Sequence, residues 1–187
     1  IDSGDLGAHA RRVRAILDDG GWPSITIFAS GNLDEFRLRE LVASAAPIDG
    51  YGVGTRMNTS ADAPYLDCAY KLQEYDGRPR RKRSEGKATW PGRKQVFRQF
   101  DGDGQWTGDV VTLVSDAMPG LPLLEPVVRG GRLVGQAPGL AAIRERVRGN
   151  VACLPDALRG LEACAAPSVV IAPALRALAD ALDAASA

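Results

Sequence analysis

Residues 1–55 switch twice between helical and strand periodicity, and this alternation constrains the fold more than any single motif does. After Asp2, either Ser3 or Asp5 can cap a helix in which Leu6, Ala10, Val13 and Leu17 recur at helical spacing. Ile16 widens its apolar face, and "DDGG" ends it. The run "SITIFAS" follows, whose Ile25, Ile27 and Phe28 suit a strand buried on both faces. "GNLDEF" then opens a second helix, with Asn32 as the expected N-cap, Glu35 in the capping-box position and Leu33, Leu38, Leu41, Val42 and Ala45 behind them. Pro47 closes it, and "IDGYGVGT" is a third short strand rich in glycine at its far end. Strands and helices joined by a few residues predict parallel βαβ units. Three such strands leave sheet edges unpaired. The opening "IDSGDL", without a methionine, therefore predicts a strand end at Asp2 whose earlier residues, and further strands, lie upstream of Ile1.

Beyond about Tyr65 the alternation stops. "YKLQEYDGRPRRKRS" predicts a strand, an Asp76-Gly77 turn and a strand. "VVTLV" is a further strand, and "PLLEPVVRGGRLV" a hairpin around Gly130-Gly131. Helical patterns resume at Leu140 to Arg148 and at Pro155 to Cys164, with Pro155 at the first helical position, and Pro173 starts a last helix through about Ala184. Residues 1–64 are accordingly expected to form βα units and residues 65–187 an α+β region.

Composition limits the function classes. No run approaches the roughly 18 apolar residues of a membrane span. Cys68, Cys153 and Cys164 are odd in number and far apart, without a CxxC pair, so neither a disulfide framework nor a zinc site is expected. A reducing cytoplasm fits them best. Nine Lys or Arg residues lie between Arg78 and Arg98 against one acid, Glu85, which suggests contact with an anion. The zero net charge of the chain argues against nucleic acid, so small phosphates or a solvated face explain the run more simply.

Three loops carry candidate chemistry. In "YGVGT", Gly54 and Thr55 can bring backbone N–H groups and a hydroxyl to a phosphate, although Met57 stands where a dinucleotide fingerprint needs a third glycine. A tight turn without a ligand is the alternative. In "ASGNLDE", Ser30, Gly31 and Asn32 lie between a strand and a helix, where α/β folds place binding loops, and capping is their competing use. Asp2, at a strand end, can hold ribose hydroxyls, coordinate Mg²⁺ or stabilise a developing positive charge on a sugar. Asp5 is better explained as a helix cap, and His9 as a surface or packing residue with no triad partner nearby.

Four segments, in order, resemble the nicotinate phosphoribosyltransferase family: "IDSGDL", "SGNLDE", "PIDGYGVGTRMNTSADAPYLDCAYKL" and "KRSEGKATWPGRKQVFR". The resemblance implies the C-terminal part of an irregular TIM-like α/β barrel of the type II phosphoribosyltransferase kind, with an appended α+β region. It implies condensation of nicotinate with 5-phosphoribosyl 1-diphosphate, with ATP and Mg²⁺, in NAD biosynthesis. Carried over by motif, Asp2 would lie near the ribose and its reacting carbon, while Ser30, Gly31, Gly54 and Thr55 would bind the phosphoribosyl phosphate. No residue is assigned to a metal. The family's nicotinate-clamping arginine and phosphorylated histidine map upstream of Ile1, and His9 does not match the latter. The expectation is an incomplete C-terminal piece, inactive alone, whose partners are the missing N-terminal part and, as in family members whose sites are completed across subunits, a second copy. The alternatives are a non-catalytic phosphate-binding half-barrel and a related nicotinamide or quinolinate enzyme.

Overall fold

The computed structural model describes residues 1–185, so the last two residues of the 65–187 region lie outside the described residues. The chain divides into two compact units, Ile1–Cys68 and Ala69–Ala187.

In the first unit, helix α1 (Leu6–Asp19) begins where the Asp5 carboxylate accepts the Ala8 N–H at 3.0 Å. That bond satisfies an orphan donor of the first turn and holds the Asp5 carboxyl below the usual carboxylate range. Strand β1 (Phe28–Ala29) leads through a loop to α2 (Glu35–Ala43), and then come β2 (Gly50–Tyr51) and the single turn α3 (Thr55–Asn58). β1 and β2 pair in parallel, Phe28 with Gly50 and Ala29 with Tyr51. Ile1 extends this ladder on the other side: its nitrogen donates to the Phe28 carbonyl at 2.8 Å, and Ser30 N–H donates to the Ile1 carbonyl at 2.9 Å. Those two bonds are the signature of a parallel bridge between Ile1 and Ala29. β1 is thus central, and all three segments run the same way.

Leu6, Ala29, Leu33 and Leu41 form the buried core between the two longer helices and one sheet face. The opposite face is not covered. Phe28 is 64% exposed and Ile25 45%, which corrects the expectation of a strand buried on both sides. The α2 cap is also not Asn32. Asn32 takes a left-handed φ of 49°, and Asp34 caps instead, accepting the Arg37 N–H at 2.8 Å. This shift of two residues drops Leu33 into the core at 1% exposure.

The second unit starts with a hairpin, β3 (Glu74–Tyr75) and β4 (Arg78–Pro79), turned at Asp76 and Gly77, both at positive φ. Its main sheet is built on β5 (Lys94–Phe100) and β6 (Trp106–Leu113), paired antiparallel from Lys94–Leu113 to Phe100–Trp106. β7 (Leu121–Pro122) flanks β5, and a small hairpin, β8 (Val128–Arg129) with β9 (Arg132–Leu133), turns at Gly130-Gly131 as expected. α4 (Leu140–Ala152) and the short α5 (Asp156–Arg159) precede β10 (Ser168–Ile171), which runs parallel to β6. α6 (Pro173–Ala184) has Pro173 in its first turn and buries Leu175 and Ala179. The expected helix from Pro155 to Cys164 shrinks to α5, with Pro155 as its cap and Gly160 ending it. Gly160 and the turn after it stop propagation.

The basic run does not form one anion-facing surface. Arg81 and Arg83 both pair with Asp183 of α6, at 2.9 Å each. Lys94 donates to the Trp90 and Gly92 carbonyls, and Arg98 grips Asp109.

Candidate functional site

Because the three strand segments of the first unit are parallel, the loops that leave them emerge at one edge of the sheet. These are the Asp2–Gly4 turn, the Ser30–Asp34 loop and the Gly52–Gly54 loop. Two contacts hold them together. Gly31, at φ +99°, lies so close to the Asp2 backbone that a Cβ there would be 2.3 Å from the Asp2 carbonyl oxygen. Only glycine combines that approach with that dihedral angle. On its other side the same loop meets the third: a Cβ on Gly52 would stand 3.3 Å from Ser30 Cβ.

The first two loops enclose an open cleft of about 520 Å³ whose walls include Asp2, Gly4, Gly31, Asn32, Asp34 and Arg37. Of the residues singled out from sequence, Asp2, Gly31 and Asn32 line it. Ser30 sits beside Gly31 with its side chain toward Gly52, while Gly54 and Thr55 belong to the third loop at the same sheet edge, where Gly54 faces open space. Thr55 starts α3, and its carbonyl accepts the Thr59 hydroxyl at 3.0 Å.

Arg37 is the lining residue that sequence reasoning missed. Its guanidinium pairs with Glu40 at 2.7 Å and reaches the cleft from the first turn of α2. The signal was the cap: with Asp34 rather than Asn32 at the helix start, Arg37 falls three residues beyond the cap, beside the loop. Acidic residues, Asp2 and Asp34, together with the basic Arg37 in one lining suit a ligand carrying both hydroxyls and an anionic group. Among the described residues no three His, Cys, Asp or Glu side chains cluster as a metal site.

The second unit has its own polar cluster, built for a different purpose. Arg98 and Asp109, opposite each other on β5 and β6, form two bonds of 3.0 Å. The Trp106 ring lies 4.3 Å beneath the guanidinium, and its Nε1 donates to Asp109 at 3.0 Å. The Arg98 and Trp106 donors hold Asp109 below the usual carboxylate range, and the Asp109 carboxylate in turn raises Arg98. Two of the three Arg98 nitrogens and both Asp109 oxygens are thus matched within the sheet.

Two solved structures resemble the chain as a whole. Human nicotinic acid phosphoribosyltransferase superposes with a TM-score of 0.77 at 25% identity, over 97% of this chain and 39% of that one. A nicotinate-nucleotide pyrophosphorylase from Pyrococcus furiosus gives 0.61 at 30% identity, over 82% of this chain and 39% of its own. The fold is that of the type II phosphoribosyltransferases. In sequence, a nicotinate phosphoribosyltransferase of Mycobacterium tuberculosis is 47% identical over 87% of this chain, and one from Bos taurus is 32% identical over 98%. The chain belongs to the nicotinate phosphoribosyltransferase family, and it spans 35% and 40%, respectively, of the length of those two relatives. No family model matches it.

Proposed function

We propose that this chain forms the phosphoribosyl-handling end of a nicotinate phosphoribosyltransferase, which joins nicotinate to 5-phosphoribosyl 1-diphosphate and yields nicotinate mononucleotide and diphosphate for NAD biosynthesis. The observation that carries the reading is the convergence of the Asp2, Ser30–Asn32 and Gly54–Thr55 loops at one edge of a parallel sheet, with Asp2, Gly31 and Arg37 lining a single cleft.

In this reading the pyridine nitrogen attacks the ribose C1 as the C1–O bond to diphosphate breaks, the electron pair leaving with diphosphate. Positive charge builds on the sugar in between. Asp2 is placed to stabilise that charge and to accept from ribose hydroxyls. Backbone N–H groups around Gly31 and Gly54, with the Ser30 and Thr55 hydroxyls, hold the ribose phosphate and fix the attack geometry. Mg²⁺, when bound, offsets charge on the diphosphate. No residue of this chain is assigned to it. No residue is assigned to ATP either, whose hydrolysis we take to drive the reaction through other parts of the enzyme.

The three parallel segments then belong to an irregular α/β barrel whose other strands cover the face bearing Phe28, and the second unit is its α+β appendage. We further place the enzyme in the cytoplasm, where the free thiols of Cys68, Cys153 and Cys164 are at home, and expect it to work as a homodimer. No helix among the described residues is long and apolar enough to cross a membrane.

Titrating the isotope-labelled 187-residue chain with Mg²⁺ and phosphoribosyl diphosphate tests this. Amide shifts confined to residues 30–32, 54 and 55, weakened in Asp2→Asn, are expected. An unmoved spectrum at millimolar ligand overturns it. The same chain given nicotinate, phosphoribosyl diphosphate and ATP is expected to form no nicotinate mononucleotide.

A further inference from the structure

The proposed chemistry leaves His9 unused, yet its ring is the side chain seated against the turn that carries Asp2. Its Nδ1 stands 3.1 Å from the Ser3 carbonyl oxygen. A carbonyl only accepts, so Nδ1 carries the proton in that bond. The ring edge closes on the next residue: a Cβ on Gly4 would lie 2.8 Å from His9 Cε1, and Gly4 sits at φ +70°, where a side chain would be strained anyway. Immediately beyond, Asp5 is pinned by its cap to Ala8. The Ser3-Gly4 peptide is therefore held at its carbonyl by the imidazole, one residue before the cap that pins Asp5. Asp2 is exposed, and among the described residues its carboxylate accepts no hydrogen bond. Its direction is set through its backbone alone, by Gly31 on one flank and by the Ser3-Gly4 turn on the other.

We infer that His9 is a positioning residue for Asp2: its hydrogen bond to the Ser3 carbonyl fixes the turn that aims the Asp2 carboxylate into the cleft. This rests on the reading of Asp2 as a ligand-facing residue given above, and the variants are chosen to separate the two. In the 187-residue chain, the affinity for phosphoribosyl diphosphate with Mg²⁺ is measured for wild type, Asp2→Asn, His9→Leu and His9→Asn. Leucine fills the space without a donor, whereas asparagine returns an N–H close to the position of Nδ1. His9→Leu is expected to weaken binding about fivefold, as loss of one net hydrogen bond would, and His9→Asn to stay within about twofold of wild type. If Asp2→Asn weakens binding and His9→Leu does not, or if His9→Asn is as weak as His9→Leu, the role of His9 is overturned while that of Asp2 stands. If Asp2→Asn binds like wild type, the Asp2 reading falls, and the inference with it. Nitrogen-15 shifts of the wild-type ring, recorded above the histidine titration range, give an independent check should His9→Leu fail to fold. A proton on Nδ1 is expected, and one on Nε2 alone overturns the inference.

Discussion

Glycines at positive φ serve two purposes, and both occur in each unit, whereas charge is used differently in the two. In the first unit Gly31 is pressed against the Asp2 backbone and Gly4 against the His9 ring, so neither position has room for a Cβ. Gly120 of the second unit is pressed in the same way against the Arg98 carbonyl, whereas Gly21 of the first unit and Gly77, Gly130 and Gly131 of the second have nothing within 4 Å of a Cβ, so only the dihedral angle asks for glycine there. Charge is what separates the units. Asp2 and Arg37 of the first unit face a cleft, whereas Arg98 and Asp109 of the second are closed on each other and on Trp106. The first unit leaves polar groups and backbone ready for a ligand, and the second uses equivalent groups to hold its own sheet together.

Gly31→Ala is the sharpest way to break this contrast. It adds a clash with the Asp2 carbonyl to a dihedral angle that alanine disfavours, and should destabilise the first unit by about 3 kcal/mol or more and abolish its response to phosphoribosyl diphosphate. A loss below about 1 kcal/mol in urea unfolding followed by amide resonances of that unit would show that close approach is not what the glycine provides.

Asp109→Ala comes next, at about 2 kcal/mol, because Arg98 is left three-quarters covered without its partner. The sign of its pH dependence is set by the lowered folded-state pKa of Asp109. The pair contributes fully above the ordinary carboxylate pKa, and the contribution fades as pH falls through the folded value. Wild type and variant should therefore converge in acid. A stability gap independent of pH would point to lost packing instead.

Asp34→Ala removes the α2 cap and should cost about 1 kcal/mol, while Asn32→Ala should spare the α2 amides; hydrogen exchange of the first helical turn separates the two. The smallest effect is expected for Gly130→Asn, at about 0.5 kcal/mol or less, since asparagine tolerates its φ of 57° and open space surrounds it. A larger loss in thermal unfolding would erase the distinction between the two kinds of glycine.

Much of the fold was legible because its determinants are local. The Asp5 cap, the Asp76-Gly77 and Gly130-Gly131 hairpins and the Pro173 helix start each depend on residues within one turn of chain. The α2 cap was misplaced because "GNLDE" offers two good caps in a row. Burial of Leu33 chose between them, and burial is not a local quantity. The strand at Phe28 was expected to be covered twice because its composition is that of a buried strand, but α1 and α2 cover only one face. The site followed the same rule: Asp2, Gly31 and Thr55 stood out as residue types at strand ends, whereas Arg37 became visible only once the cap was known. The sequence by itself determined the alternation of elements, the turn chemistry and the family. Tertiary structure alone decided which charges meet, because Arg81 finds Asp183 about a hundred residues along the chain and Gly31 finds the Asp2 carbonyl only when parallel strands bring two distant loops to one edge. Local propensity acts over a few residues, whereas contacts of that range exist only after the backbone has paid its ordering entropy and closed.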